Sequence, residues 1–161
     1  MTTFRTLRLE ARPAGWGDVG ALQSLLEAAP GYHRLVEGAP AGPNAAFDQI
    51  ADAEADPDRR LLLLWPREGS MAAGVVDLQI HWPDPGAAHV RLLLLRESLH
   101  GRGLGREAAA GLEEALRLEG FRALRLSVTV ENDGARAFWE RVGFAPVERF
   151  RAGDTLHEKL L

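Results

Sequence analysis

The sequence predicts a mixed α/β (α+β) fold, a mostly antiparallel central sheet of about seven strands flanked by helices. Three observations predict it. Apolar runs at 61–65, 71–82 and 89–95 are separated by the turn formers Pro66 to Ser70 and Asp84-Pro85-Gly86, the pattern of an antiparallel meander. A helical stripe, Leu104, Ala108, Leu112, Ala115 and Leu116, then lies between that meander and the apolar strand Leu124 to Val130, which a helical crossover makes parallel to its predecessor. The chain has 161 residues, 46% of them apolar, which suits one packed domain over residues 1–161.

The elements follow in order. Phe4 to Ala11 alternates as an edge strand, with Phe4, Leu7 and Leu9 offered to a core. Asp18 is placed to cap a helix whose apolar face is Val19, Leu22, Leu25 and Leu26, ending near Pro30-Gly31. A short helix is expected over Tyr32 to Glu37. Gly38 to Pro43 breaks the chain, and Asn44 opens another helical stretch through Phe47 and Ile50, closed by Asp56-Pro57-Asp58. After the meander, Gly120 stops the long helix. Ala135, Phe138, Trp139 and Val142 form one further helix face, and strands near Phe144 to Phe150 and Thr155 to Leu161 finish the chain.

Composition narrows the function. Cysteine is absent, which removes disulfides, thiolate metal sites and a cysteine nucleophile. His81 and His89 flank the Asp84-Pro85-Gly86 turn and are placed to meet across the hairpin, but two histidines without a carboxylate spacing motif make no metal site, and none is expected. A net charge of −4 argues against nucleic acid as a partner. Met1 to Glu10 lacks the apolar core of a signal peptide and no apolar run reaches membrane-spanning length, so a cytoplasmic chain with no membrane partner is expected.

The most informative segment is His100-Gly101-Arg102-Gly103-Leu104-Gly105-Arg106, which lies between the apolar run 92–95 and the start of the long helix. A strand, a glycine turn and a helix start make an anion cradle, because unpaired N–H groups and the helix dipole point at one spot. Arg102 and Arg106 add positive charge where a helix start otherwise disfavours it, which again suggests an anionic ligand. The Gly-Lys-Ser/Thr ending of a P-loop is missing. A dinucleotide turn needs its last glycine where Arg106 stands, and Glu131 lies somewhat beyond the usual spacing of about 20 residues for a ribose ligand. A coenzyme A site is the third reading, with the turn holding the pyrophosphate and the strand end holding the pantetheine arm.

A second segment, residues 131–144, follows the strand 124–130 with a helix start, a short amphipathic helix and a glycine stop. The two segments read His100-x-x-Gly103-x-Gly105 and Asn132-x-x-Ala135-x-x-Phe138-Trp139-x-x-x-Gly143-Phe144. In this order, with a helix and a strand between them, they resemble the GNAT superfamily of acyl-CoA-dependent N-acyltransferases, where the patterns are Arg/Gln-x-x-Gly-x-Gly/Ala and Asn-x-x-Ala-x-x-Phe/Leu-Tyr-x-x-x-Gly-Phe. The segment 30–38 lies where family members build an acceptor wall, and together with the Phe-Trp variant it looks like a bacterial branch of small-molecule type. The predicted element order fits the GNAT fold over nearly the whole chain.

The resemblance implies an enzyme that moves an acetyl group from acetyl-CoA to a primary amine of a small molecule or peptide by direct attack. It also implies a sheet splayed between the fourth and fifth strands, where Leu93, Leu94 and Leu95 bond the pantetheine amides and a Leu95 donor polarises the thioester. The turn residues His100, Gly101, Arg102, Gly103, Leu104, Gly105 and Arg106 then hold the diphosphate, and Asn132, Phe138 and Trp139 line the cofactor's arm. Two departures stand out. His100 replaces a residue that is charged or an amide in the family, and Trp139 replaces the tyrosine that protonates the departing thiolate there, which an indole cannot do at ordinary pH. They keep open a second reading, a catalytically silent CoA-binding module for sensing or interaction. For the acceptor side, Tyr32 and Glu37 are expected in the amine site, and Asp77, on the central strand 74–80, is expected as a base or amine anchor. The final strands could also pair between subunits as a homodimer.

Overall fold

The computed structural model describes residues 2–150 and 153–161; Met1, the first residue of the segment Met1 to Glu10 read above, lies outside them. Among the described residues eight strands form one sheet, ordered β1-β2-β3-β4-β5-β6-β8-β7. In chain order these are β1 (Phe4–Arg5), β2 (Leu9–Pro13), β3 (Arg59–Pro66), β4 (Gly74–Ile80), β5 (Ala87–Leu95), β6 (Ala123–Val128), β7 (Ala145–Phe150) and β8 (Asp154–Leu160). The helices are α1 (Val19–Glu27), α2 (Pro30–Tyr32), α3 (Ala45–Ala55), α4 (Leu104–Leu118) and α5 (Asp133–Arg141). The β5–β6 pair is parallel and every other pair is antiparallel.

Strand periodicity divides the core into two layers. Along β3, Leu62 and Leu64 join the cluster under α4 and α5, while Leu61 and Leu63 join the cluster under α1 and α3. Successive side chains point to opposite faces, so a run of leucines buried on both sides marks a central strand. On α4 the predicted stripe Leu104, Ala108, Leu112, Ala115 and Leu116 is buried throughout. Truncating such a leucine, Leu112 for instance, typically costs about 2–5 kcal/mol. Gly120, at φ 94, ends the helix as expected.

The edge of the sheet differs from the expectation. Phe4 to Ala11 is not one strand: the chain reverses at Thr6, whose backbone N–H donates to the Leu9 carbonyl at 2.8 Å, so that Phe4 pairs with Ala11. This extra hairpin makes eight strands instead of about seven, and it puts Leu7 at the turn, 83% exposed instead of in the core. Asp18 stands at the N-cap position of α1, as expected, but its side chain makes no capping bond to the helix. Its carboxylate accepts the Gly15 N–H at 2.9 Å and closes the tight turn Trp16–Asp18. Phe47 also faces outward, packed on Trp16 with ring centroids 5.2 Å apart. The expected short helix over Tyr32 to Glu37 is α2 followed by a π-helical turn, His33–Glu37, which ends at Gly38 with φ 71. His81 and His89 do not meet: His81 bonds Asp58 at 3.1 Å, and His89 packs edge-on against Trp82.

Two irregularities position the site. Between β4 and β5 the register slips at Asp77/Leu78, so Arg91 is the extra residue of a bulge. Between β5 and β6 the pairing stops at Val90 and Leu126, although β5 runs on to Leu95. Past that point the β6 side of the Leu93 to Leu95 segment faces a cleft.

Candidate active site

The cleft has a volume of about 690 Å³, within the usual range for a small-molecule site. It begins at the glycine turn that leads into α4. Gly101 and Gly103 sit at φ 75 and 78, a left-handed conformation that most side chains resist. A methyl built on Gly101 would meet nothing within 4 Å, so the turn faces open space. No side chain caps α4. Its first internal bond runs from the Glu107 N–H to the Gly103 carbonyl at 3.1 Å, which leaves the N–H groups of Leu104, Gly105 and Arg106 without a helical acceptor. An uncapped helix start behind an open turn fits the diphosphate of coenzyme A.

The turn is held from behind. Glu107 accepts bonds from the Thr6 hydroxyl, the Arg8 backbone N–H at 2.7 Å and the Arg8 guanidinium at 2.7 Å. Burial would raise the Glu107 pKa, but those bonds outweigh it and hold it below the ordinary value. Arg8 also donates to the Arg102 carbonyl at 2.9 Å. The β1–β2 hairpin therefore braces the first turn of α4.

Most of the predicted cofactor residues share this cleft: Leu93, Leu94, Leu95, His100, Gly101, Gly103, Leu104, Gly105, Arg106, Asn132, Phe138 and Trp139 all line it. Arg102 does not. It lines a neighbouring cleft with Arg67 and Arg96. His100 is tied back, its Nε2 lying 3.1 Å from the Leu95 carbonyl, so the ring locks the turn to the end of β5. Asn132 caps α5, its side-chain oxygen accepting the Ala135 N–H at 3.1 Å. Trp139 is 7% exposed and stacks edge-on between Phe138 and Phe144, at 4.9 and 5.0 Å.

Across the cleft stand residues from the other face of the sheet. Tyr32, Leu35 and Gly31 line it, as does Glu97, whose carboxylate accepts the Gly31 N–H at 3.0 Å. Tyr32 packs with the cluster under α1 and α3, whereas Trp139 belongs to the cluster under α4 and α5. The cleft thus joins the two faces past the end of β5. Burial, with help from Glu37 and Asp77, pushes the Tyr32 phenol above its usual pKa.

The other two acceptor-side expectations fall outside the lining. Glu37 is exposed at the end of the π-helical turn. Asp77, 4% exposed, is gripped by Arg59 through two bonds of 3.0 and 2.7 Å, with Arg91 at 3.5 Å. The hydrogen bond to Asp77 holds the Arg59 pKa above normal despite burial. Asp77 is therefore held as a buried ion-pair partner outside the cleft lining. Of the residues around the cleft, sequence reasoning missed Glu97 and Arg59, whereas Gly31 and Leu35 fall within the acceptor-wall segment 30–38. Glu97 and Gly31 are 66 positions apart and carry no shared motif, so only the fold joins them.

Residues 22–144 match the model of the acetyltransferase (GNAT) family. An acetyltransferase from Thermus thermophilus is 30% identical with a TM-score of 0.86, over 96% of this chain and 98% of that one. The PaiA N-acetyltransferase from Thermoplasma acidophilum, solved in complex with coenzyme A, shares the fold at 18% identity and a TM-score of 0.74, over 95% of this chain and 99% of that one. An acetyltransferase from Salmonella typhimurium that modifies the N-terminal serine of a 50S ribosomal subunit protein shares it at 18% identity and 0.79, over 97% and 96%. Among the curated proteins no match is found.

Proposed function

Because the chain belongs to the acetyltransferase (GNAT) family and is an N-acetyltransferase, we propose that it carries an acetyl group from acetyl-CoA to a primary amine of a small molecule or peptide by direct attack. The observation that carries this reading is the uncapped start of α4 behind the open Gly101–Gly103 turn, at one side of a cleft whose other wall is apolar and aromatic. Backbone N–H groups of Gly103 to Arg106 hold the diphosphate, with Arg106 adding charge. The pantetheine arm lies along Leu93 to Leu95, where β5 has lost its β6 partner, so that amide–amide bonds replace the missing ladder. Phe138 and Trp139 form the floor of the arm.

Acetyl-CoA supplies an acyl carbon activated by a thiol leaving group. The chain's part is to place a neutral amine against it from the Tyr32 side and to exclude water. Glu37 lies outside the lining but near enough to Tyr32 to act on it electrostatically, and its charge there draws a cationic amine inward. Arg59 and Arg91 hold Asp77 and so fix the bulge midway along β4 and β5. Release of CoA thiol, followed with a thiol reagent over a panel of small amines and amino-terminal peptides, tests the reading. Turnover with at least one amine is expected. Measurable CoA binding without release for any amine would favour the silent binding module instead.

A further inference from the structure

The reaction moves one proton. When the amine nitrogen bonds the acyl carbon and the C–S bond breaks, the electron pair goes to sulfur, the nitrogen loses a proton and the thiolate gains one. Trp139 occupies the place on α5 where the family pattern has a phenol, and its indole does not donate as an acid. We propose that Tyr32, on the opposite wall of the cleft, is the general acid that protonates the departing thiolate. This rests on the reading of the protein as an acetyl-CoA-dependent N-acetyltransferase. The Tyr32 O–H bond breaks as the S–H bond forms, and the tyrosinate regains its proton from the nitrogen by way of water. No oxidant or further reactant is needed.

The position and chemistry of Tyr32 carry the assignment. Tyr32 lines the same cleft as Leu93 to Leu95 and Trp139, reaching it from the other face of the sheet. It is the single tyrosine of the chain. Its hydroxyl has no hydrogen-bond partner among the described residues and is not sealed from solvent, so it is free to face a ligand. The other polar groups of the cleft are engaged or unsuited: Glu97 accepts from Gly31, His100 is tied to Leu95, Asn132 caps α5, and the guanidinium groups of Arg106 and Arg141 do not release protons. The ring is also held in place, standing edge-on to buried His33 at 5.2 Å, while His33 Nδ1 lies 3.0 Å from the Ala29 carbonyl. Burial together with Glu37 and Asp77 keeps the phenol protonated at neutral pH, as a general acid requires.

The single tyrosine makes a clean experiment possible. Tyr32→Phe is expected to lower kcat by about 100-fold, the low end for a general acid, with the KM for acetyl-CoA little changed. Fluorinated tyrosine incorporated throughout the protein labels Tyr32 alone; 3,5-difluorotyrosine, whose phenol ionises more easily, should move the alkaline limb of kcat to lower pH. A readout without turnover comes from the ¹⁹F resonance: CoA should shift it and raise its titration midpoint more than desulfo-CoA, which lacks the sulfur. Unchanged kcat in a folded Tyr32→Phe protein, an unmoved alkaline limb, or identical ¹⁹F responses to the two ligands would overturn the assignment. Wild-type protein that turns over no amine would overturn the underlying reading instead, so the two failures are distinguishable.

Discussion

The Glu97 carboxylate accepts the backbone N–H of Gly31 at 3.0 Å, and the Glu97 backbone N–H donates in turn to the Ala28 carbonyl at 3.2 Å. These bonds join the turn after β5 to the junction of α1 and α2, so one short segment ties the acceptor wall to the cofactor wall. A Cβ on residue 31 would press on Glu97 Oε1, so a side chain there would push the carboxylate off the Gly31 N–H.

Breaking this clasp should loosen the acceptor wall while sparing the cofactor. Glu97→Ala is expected to lower kcat/KM for the amine about 10-fold, in keeping with the roughly 1.5–3 kcal/mol of a hydrogen bond to a charged group. The dissociation constant of CoA, measured by calorimetry, should stay within about 2-fold, below the 1.4 kcal/mol that a tenfold change represents.

Gly103→Asp should cripple CoA binding, because it puts a carboxylate at the mouth of the turn and strains a backbone at φ 78. Gly103→Asn, which tolerates that conformation and adds no charge, separates the two effects. We expect Asn to bind CoA with moderately reduced affinity and Asp to lose at least about 10-fold more, some 1.4 kcal/mol. Equal affinities in the two folded variants would refute a charge effect at the turn.

Asp77→Asn leaves Arg59 buried with only the exposed carboxylate of Asp52, 3.2 Å away, as an ionic partner. Breaking one side of a buried pair typically costs about 3–5 kcal/mol, which urea denaturation would measure. The companion Arg59→Met/Asp77→Leu should recover much of that loss. A role for Asp77 as proton acceptor predicts the reverse, a stable protein without activity.

What the sequence made legible was local. The α4 stripe repeats at helical spacing, and the glycine turn and the 131–144 segment each sit within one strand–turn–helix unit, so their residues meet whatever the rest of the chain does. The pairings that complete the site are different in kind: Asp77 with Arg59, Glu97 with Gly31 and Glu107 with Arg8 join residues 18, 66 and 99 positions apart. Nothing in residue spacing chooses Arg59 over other arginines; strand register does, by bringing β3 and β4 side by side. The same applies to Leu7, whose alternation suits a strand until Thr6 bonds Leu9 and turns the chain.

Acid should unfold the protein partly through His89. Burial first, then Arg91 and Arg125, lowers its pKa from 6.5 to about 4, so the fold binds fewer protons than the unfolded chain between those values. The stability it contributes is therefore complete above pH 6.5 and is lost as pH falls toward 4, an effect of about 3 kcal/mol by pH 4. His89→Gln should flatten the stability profile over that window. An unchanged slope between wild type and variant would show that other groups govern it.

The grip of the glycine turn on coenzyme A is tested most directly by titrating CoA into ¹⁵N-labelled protein and following the backbone amides. Saturable shifts are expected at Gly101, Gly103, Leu104 and Gly105, with Leu93 to Leu95 moving at the same ligand concentration. Saturable binding that leaves those amides still, and moves instead the neighbouring cleft around Arg67 and Met71, would contradict it.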